Sequence, residues 1–234
     1  MKKFIIPSLF ILLFSSCDTI MKTAGALGGG VVTEQEAGDG IKEALSKGID
    51  VGISLLNKQD GFFGSQAYKL FLPADAQKIE NTLRDLGLGK QVDKAILQIN
   101  RSAENAVGFA KPIFVDAIKE MTLTDALNIV RGDKNAATNY FREKTKTKLI
   151  AAFAPQIKSS LDNMNATKYY GDIVNTYNSL PTTFKKINPD LPSFVTAKAT
   201  DALFDLVAKE EVNIRTNLAA RTSDLLKKVF GQKW

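Results

Sequence analysis

The sequence predicts an all-α fold: a compact multi-helix domain of about 8–9 helices with one packed aromatic loop, preceded by an N-terminal segment of different character. Three observations lead there. Apolar residues recur at helical spacing in segment after segment. Helix start and stop residues bracket those segments. No stretch sustains the period-two alternation of a strand, and Tyr68 to Leu72 is the one place where a short strand is expected.

The N-terminus comes first. Met1-Lys2-Lys3 is a cationic start, Phe4 to Phe14 an apolar core broken only by Pro7 and Ser8, and Ser15-Ser16 the small residues that precede a processing site. The apolar run, about 11 residues, falls short of the roughly 20 a transmembrane helix needs. Phe14-Ser15-Ser16-Cys17 resembles the lipobox of bacterial lipoproteins, with Phe14 where Leu is usual. That resemblance implies a signal peptide at 1–16, cleaved before Cys17, and lipid attached to the Cys17 thiol. Cys17 is the single cysteine, so no intramolecular disulfide exists. Two or three acyl chains hold a protein to a bilayer far better than one, each buried methylene contributing about 0.8 kcal/mol. Residues 17–32, rich in glycine and small residues, read as a lipidated flexible tether.

The domain, 33–231, begins at Thr33-Glu34-Gln35-Glu36, a capping-box pattern. Helical spacing of Ile41, Leu45, Gly48, Val51 and Leu55 predicts a first helix to about Asn57. Lys58 to Leu72 breaks the period with the turn signals Asp60-Gly61 and Gly64-Ser65, yet it is too apolar for a free loop and must pack down. Pro73 suits the first turn of a second helix ending near Gly87, and a third spans about Lys90 to Ala110 on Val92, Ile96, Ile99, Ala103 and Val107. Pro112 opens another helical segment. Thr122 with Asp125 starts the next, which Gly132-Asp133 ends. Ala136 to Met164 reads as one long helix or a pair broken near Pro155, followed by Ala166 to Ser179, a crossing loop from Pro181 to Pro192, and helices over Phe194 to Arg215 and Thr222 to Phe230.

Asp60-Gly61-Phe62-Phe63-Gly64, Leu86-Gly87-Leu88-Gly89, Phe114-Val115-Asp116-Ala117-Ile118-Lys119, Ala137-Thr138-Asn139-Tyr140-Phe141-Arg142 and Ala220-Arg221-Thr222-Ser223-Asp224-Leu225-Leu226 occur in that order. Together they resemble an uncharacterised bacterial envelope family, domain of unknown function 4197, over about residues 33–231. The resemblance implies a secreted helical domain and carries no activity with it.

Composition excludes much chemistry. The chain has no histidine, which removes the commonest general base, the commonest metal ligand and every Ser-His or Cys-His nucleophile. With Cys17 committed to lipid, no zinc site of Cys and His forms, and no phosphate-binding or dinucleotide loop appears, so neither metal nor cofactor is expected. Removal of Lys2 and Lys3 with the signal leaves 29 basic against 25 acidic residues and lowers the net charge from +6 to +4. These charges are interspersed, which argues against nucleic acid as a partner.

Carboxylate-only chemistry needs two acids. Asp116 and Asp205 each sit among apolar neighbours, so partial burial is expected, either as an acid/base pair in a cleft or in structural ion pairs with Arg101, Arg142 or Arg221. Asn100 and Glu104 lie one helical turn apart beside Arg101, as a polar ligand site or as the solvated edge of an amphipathic helix. Phe62, Phe63, Tyr68 and Phe71 form an apolar pocket or close the core. The expected function is that of a membrane-anchored lipoprotein of the cell envelope, its domain in the periplasm or on the cell surface. It is expected to be non-catalytic, with the membrane reached through Cys17 and an envelope protein or apolar ligand as partners. Two rivals remain: a carboxylate-dependent hydrolase of envelope polymer, and a structural spacer, which has no pocket.

Overall fold

The computed structural model describes residues 31–163, 165–179, 181, 186–232 and 234. The predicted signal, Cys17 and most of the tether lie outside the described residues, as do 182–185 of the predicted crossing loop. Glu34–Trp234 clusters as one compact unit. Its helices, in chain order, are α1 (Glu34–Leu56), α2 (Ala74–Leu83), α3 (Gly89–Val107), α4 (Ala110–Glu120), α5 (Leu123–Arg131), α6 (Ala136–Asn163), α7 (Ala166–Ser179), α8 (Leu191–Thr216) and α9 (Asp224–Phe230). A short 3-10 turn, Leu218–Ala220, joins the last two. The fold is all-α: among the described residues there is no strand.

Local chemistry sets most boundaries. Gly87, at φ 82°, takes the left-handed conformation that glycine adopts at little cost, and it turns the chain from α2 into α3. Thr122 and Asp125 form a reciprocal capping box on α5: the Thr122 hydroxyl accepts the Asp125 amide at 3.1 Å, and the Asp125 carboxylate accepts the Thr122 amide at 3.0 Å. Ser223 accepts the Leu226 amide at the head of α9. Asp190 caps α8, which begins at Leu191. Pro192 therefore belongs to the first helical turn rather than to the crossing loop, where its missing N–H has no intrahelical partner to lose.

Of the two readings of Ala136 to Met164, the unbroken one holds: α6 runs through Pro155. An interior proline costs about 3 kcal/mol or more. Leu149, Phe153, Ile157 and Leu161 on the same helix are fully buried, each contributing roughly 1.5–3 kcal/mol, so packing outweighs the lost bond.

The core sits where α8 packs against α6, α1 and α3. Phe114 of α4 meets the rings of Phe141 of α6 and Phe204 of α8 edge-on, at 5.2 and 6.1 Å between centroids. Val92, Ile96, Ile99, Ala103 and Val107 of α3 are all buried, as their spacing predicts. Gly48 and Gly52 face α8, where a Cβ would meet Glu210 and Leu206 at an ordinary contact distance of 3.5 Å. No helix among the described residues is long and apolar enough to cross a membrane.

Candidate functional site

The loop between α1 and α2 is held by polar side chains of α3. Glu104, buried at 3% exposure, accepts the backbone amides of Phe62 and Phe63 on one carboxylate oxygen, each at 3.1 Å. Its other oxygen meets Arg101 at 2.7 Å, and Arg101 reaches on to Asp60 at 2.8 Å. Asn57 donates to the Glu104 carbonyl oxygen. Asn100, fully buried, pairs its side-chain amide with a whole peptide unit's worth of groups on Leu70. Its Oδ1 accepts the Leu70 N–H and its Nδ2 donates to the Leu70 carbonyl, both at 2.8 Å. Nδ2 also donates to Ile96 O within α3.

That pairing explains the predicted strand. Burial alternates along the segment, with Leu70 and Leu72 buried and Phe71 exposed, as in extended chain. The bonding partner is a side chain rather than a second strand, so Tyr68–Leu72 forms no ladder.

The held segment makes one wall of a groove of about 500 Å³, within the size range of small-molecule sites. The opposite wall is one face of α8, carrying Phe194, Lys198, Asp201, Ala202 and Asp205, with Ala74 and Gln77 of α2 at one end. Tyr68 spans the two walls. Its hydroxyl donates to Asp205 at 2.7 Å and accepts from Lys209 at 2.9 Å, while Lys209 also pairs with Asp205 at 2.8 Å. Burial works to raise the Asp205 pKa, but hydrogen bonds from Lys209 and Tyr68 outweigh it and hold the carboxyl below its ordinary range. The Tyr68 phenol moves up, chiefly through burial, with Asp205 adding and Lys209 opposing. Lys209 is raised, mainly by its bond to Asp205.

The cations on the groove are placed differently. Lys69 lies over the rings of Phe63, at 4.2 Å, and Phe71, at 5.7 Å; Lys198 lies 6.0 Å from the Phe194 centroid. Asp201 faces Arg142 at 3.8 Å, and Arg142 in turn covers the Phe204 ring.

Several sequence expectations need correction. Asp116 is 62% exposed beside Lys119, at 3.6 Å, and is not part of the groove wall. Asp205 is 51% exposed and pairs with Lys209, not with an arginine. Asp205 is thus half-buried, whereas Asp116 is largely exposed because one helical face of its apolar stretch looks outward, which flanking sequence does not reveal. Arg221 makes no ion pair with either acid; it donates to the carbonyls of Ile214 and Arg215 and so closes the C-terminal end of α8. Asn100 and Glu104 are not a solvated helix edge: both are buried, and with Arg101 beside them they hold the loop. Of the four aromatic candidates, Phe62 is core, Phe63 packs under Lys69 and Arg101, and Tyr68 and Phe71 line the groove.

Sequence reasoning missed Phe194, Lys198 and Asp201, although their spacing with Asp205 (four, three and four residues) marks one helical face. It also missed Glu211, 8% exposed, which accepts the amides of Ala137 and Thr138 at 2.9 Å and so caps α6 from a distance. Arg215 steadies that carboxylate at 3.0 Å and donates to Ile129 O at the end of α5.

Chemically, the groove is suited to holding a ligand. A hydrolytic carboxylate pair needs one protonated and one ionised member; Asp205, held below its ordinary range, suits only the ionised role, and Asp116 is not on the groove wall to supply the other. No group of three or more potential metal ligands occurs among the described residues. No curated protein and no solved structure matches the chain. A family model described as a protein of unknown function (DUF4197) matches residues 31–231, and the chain belongs to that family.

Proposed function

We propose that this chain is a membrane-anchored lipoprotein of the bacterial cell envelope, lipidated on Cys17, whose helical domain binds an envelope partner or ligand in the groove between Tyr68–Leu72 and α8. The observation that carries the binding reading is the groove itself: about 500 Å³, aromatic on both walls, with the loop wall fastened by Asn100 and Glu104. A site whose wall is fixed before the ligand arrives spends less of the interaction energy on ordering. Polar groups beside the rings favour a partner with charged and apolar parts over a purely apolar ligand. The groove also weighs against a spacer, and the separation of Asp116 from the groove that holds Asp205 weighs against a hydrolase built on that pair.

The anchor reading rests on the Lys2-Lys3 start, the apolar run and Phe14-Ser15-Ser16-Cys17. Intact-mass analysis of the detergent-extracted chain and of Cys17→Ser tests it: an acyl mass present in the first and absent in the second supports the anchor, and no acyl mass in either refutes it. Native mass spectrometry of the same preparations tests the groove. A bound molecule lost on Phe194→Ala with Phe71→Ala supports it; a molecule retained by that double variant places binding elsewhere.

A further inference from the structure

Resting on the groove as the binding site, we infer that its occupant is an extended peptide segment of about five residues bearing acidic groups, pairing its backbone with Phe71 at the centre of the loop wall.

Backbone polarity is the first argument. Asn100 satisfies both the N–H and the C=O of Leu70. Along an extended chain successive residues turn these groups to opposite edges, so those of Phe71 point away from Asn100. Among the described residues the Phe71 N–H and C=O have no hydrogen-bond partner in the chain. The Lys69 N–H is taken by Ser65 O and the Leu72 carbonyl by Gln77, so the open backbone pair is that of Phe71, and an unpaired pair facing solvent is free to bond another extended chain. Asn100 thus does on one side what a peptide does on the other.

Dimensions agree. From Phe194 to Asp205 the helical wall rises about 16 Å at 1.5 Å per residue. An extended peptide of five residues covers roughly the same distance at about 3.3 Å per residue. Groove and strand are matched in length.

Charge selects the peptide. Asp205 is neutralised by Lys209 and Asp201 faces Arg142. Lys69 and Lys198 rest on aromatic rings and pair with no carboxylate among the described residues. The groove therefore offers two uncommitted ammonium groups, and a side-chain or C-terminal carboxylate answers them. Phe71 and Phe194 supply apolar contact for alternate side chains.

The test uses the full chain in nanodiscs and fluorescein-labelled pentapeptides. One probe has acidic residues at alternate positions and a free carboxylate, one has lysines there and an amidated end, and one is the acidic peptide N-methylated along the pairing edge. The acidic peptide is expected to bind, to slow hydrogen exchange at the Phe71 amide, and to bind at least tenfold more tightly than the other two. Lys198→Glu and Phe71→Pro are each expected to weaken it at least tenfold. Phe71→Pro removes both the ring and an N–H that bonds nothing in the chain; Phe71→Ala removes the ring contact alone and is expected to weaken the peptide less than Phe71→Pro does. Equal binding of the lysine peptide, or unchanged affinity in Phe71→Pro with native exchange elsewhere, overturns the inference. Octanoate occupying the groove when the peptides do not overturns it too, while leaving the groove reading intact. If no probe alters exchange at Phe71, the peptide inference fails and the native mass experiment alone decides the groove.

Discussion

Glu104 and Phe62 meet across α3 and the aromatic loop, carboxylate oxygen to backbone amide, at 3.1 Å. The contact joins residues 42 positions apart and fixes a loop that has no secondary structure of its own. Glu104→Ala leaves the amides of Phe62 and Phe63 unpaired and strips Arg101 of its nearer carboxylate. Breaking a buried charge pair on one side costs about 3–5 kcal/mol, and urea unfolding with an unchanged denaturant slope measures it. Asp60→Ala removes the half-exposed end of the same network and is expected to cost under about 1 kcal/mol. Similar losses in the two variants would remove Glu104 as the anchor.

Asn100→Asp changes almost no volume and converts two donors into lone pairs. The new carboxylate faces Leu70 O and Ile96 O, where Nδ2 donated at 2.8 and 2.7 Å. A buried acceptor left against acceptors costs roughly 3 kcal/mol, more when charged. Hydrogen exchange reports the location: the Leu70 amide should open well before the helical core. Exchange at Leu70 as slow as in the native chain would mean that the side chain does not hold this segment.

How much of this was legible in the sequence depends on how local the cause is. The Thr122–Asp125 box, the Gly132 stop and the apolar stripe of α3 arise within a few residues, and each lies where its pattern predicts. Pro155 was ambiguous, since its cost is local and its compensation, the burial of Phe153 and Ile157, is tertiary. The site depends on distance in space. Tyr68 and Asp205 are 137 residues apart, and nothing near either predicts their hydrogen bond. Glu211 and Arg215 carry no local sign of their role: they cap the start of α6 and the end of α5, whose termini meet α8 only in the packed molecule. Asn100 and Glu104 stood out only as polar residues beside an apolar stripe; that they serve the backbone of a loop is a property of the packed molecule.

Two glycines should respond in opposite directions to the same substitution. A Cβ on Gly40 would lie 2.7 Å from Val229 Cγ2, so Gly40→Ala forces α9 away from α1. Overpacking of this sort costs about 1–3 kcal/mol. Gly171, within α7, has no atom within 4 Å of a built Cβ. Gly171→Ala restricts the unfolded chain and is expected to stabilise by about 0.4–1 kcal/mol. Thermal unfolding of both variants checks the pair, and a destabilising Gly171→Ala would show that the helix face there is more crowded than these contacts indicate.

The latch of Tyr68, Asp205 and Lys209 has a pH window whose limits follow from three directions. Asp205 is depressed in the folded chain, so its contribution is present above the unfolded carboxyl pKa of about 4 and is lost as pH falls through the folded value. Tyr68 and Lys209 are raised, so theirs are present below about pH 10 and are lost as pH rises through the folded values. The latch should therefore hold between those limits and loosen at either end. Phenolate absorbance separates the partners, because Asp205 raises the Tyr68 pKa whereas Lys209 lowers it through its hydrogen bond. Asp205→Asn is expected to bring the Tyr68 titration down and Lys209→Met to push it up, while Tyr170, pushed up by burial to about 12, stays in place as the internal reference. An unmoved Tyr68 titration in both variants would mean that burial alone sets its value and that the three groups do not act as one latch.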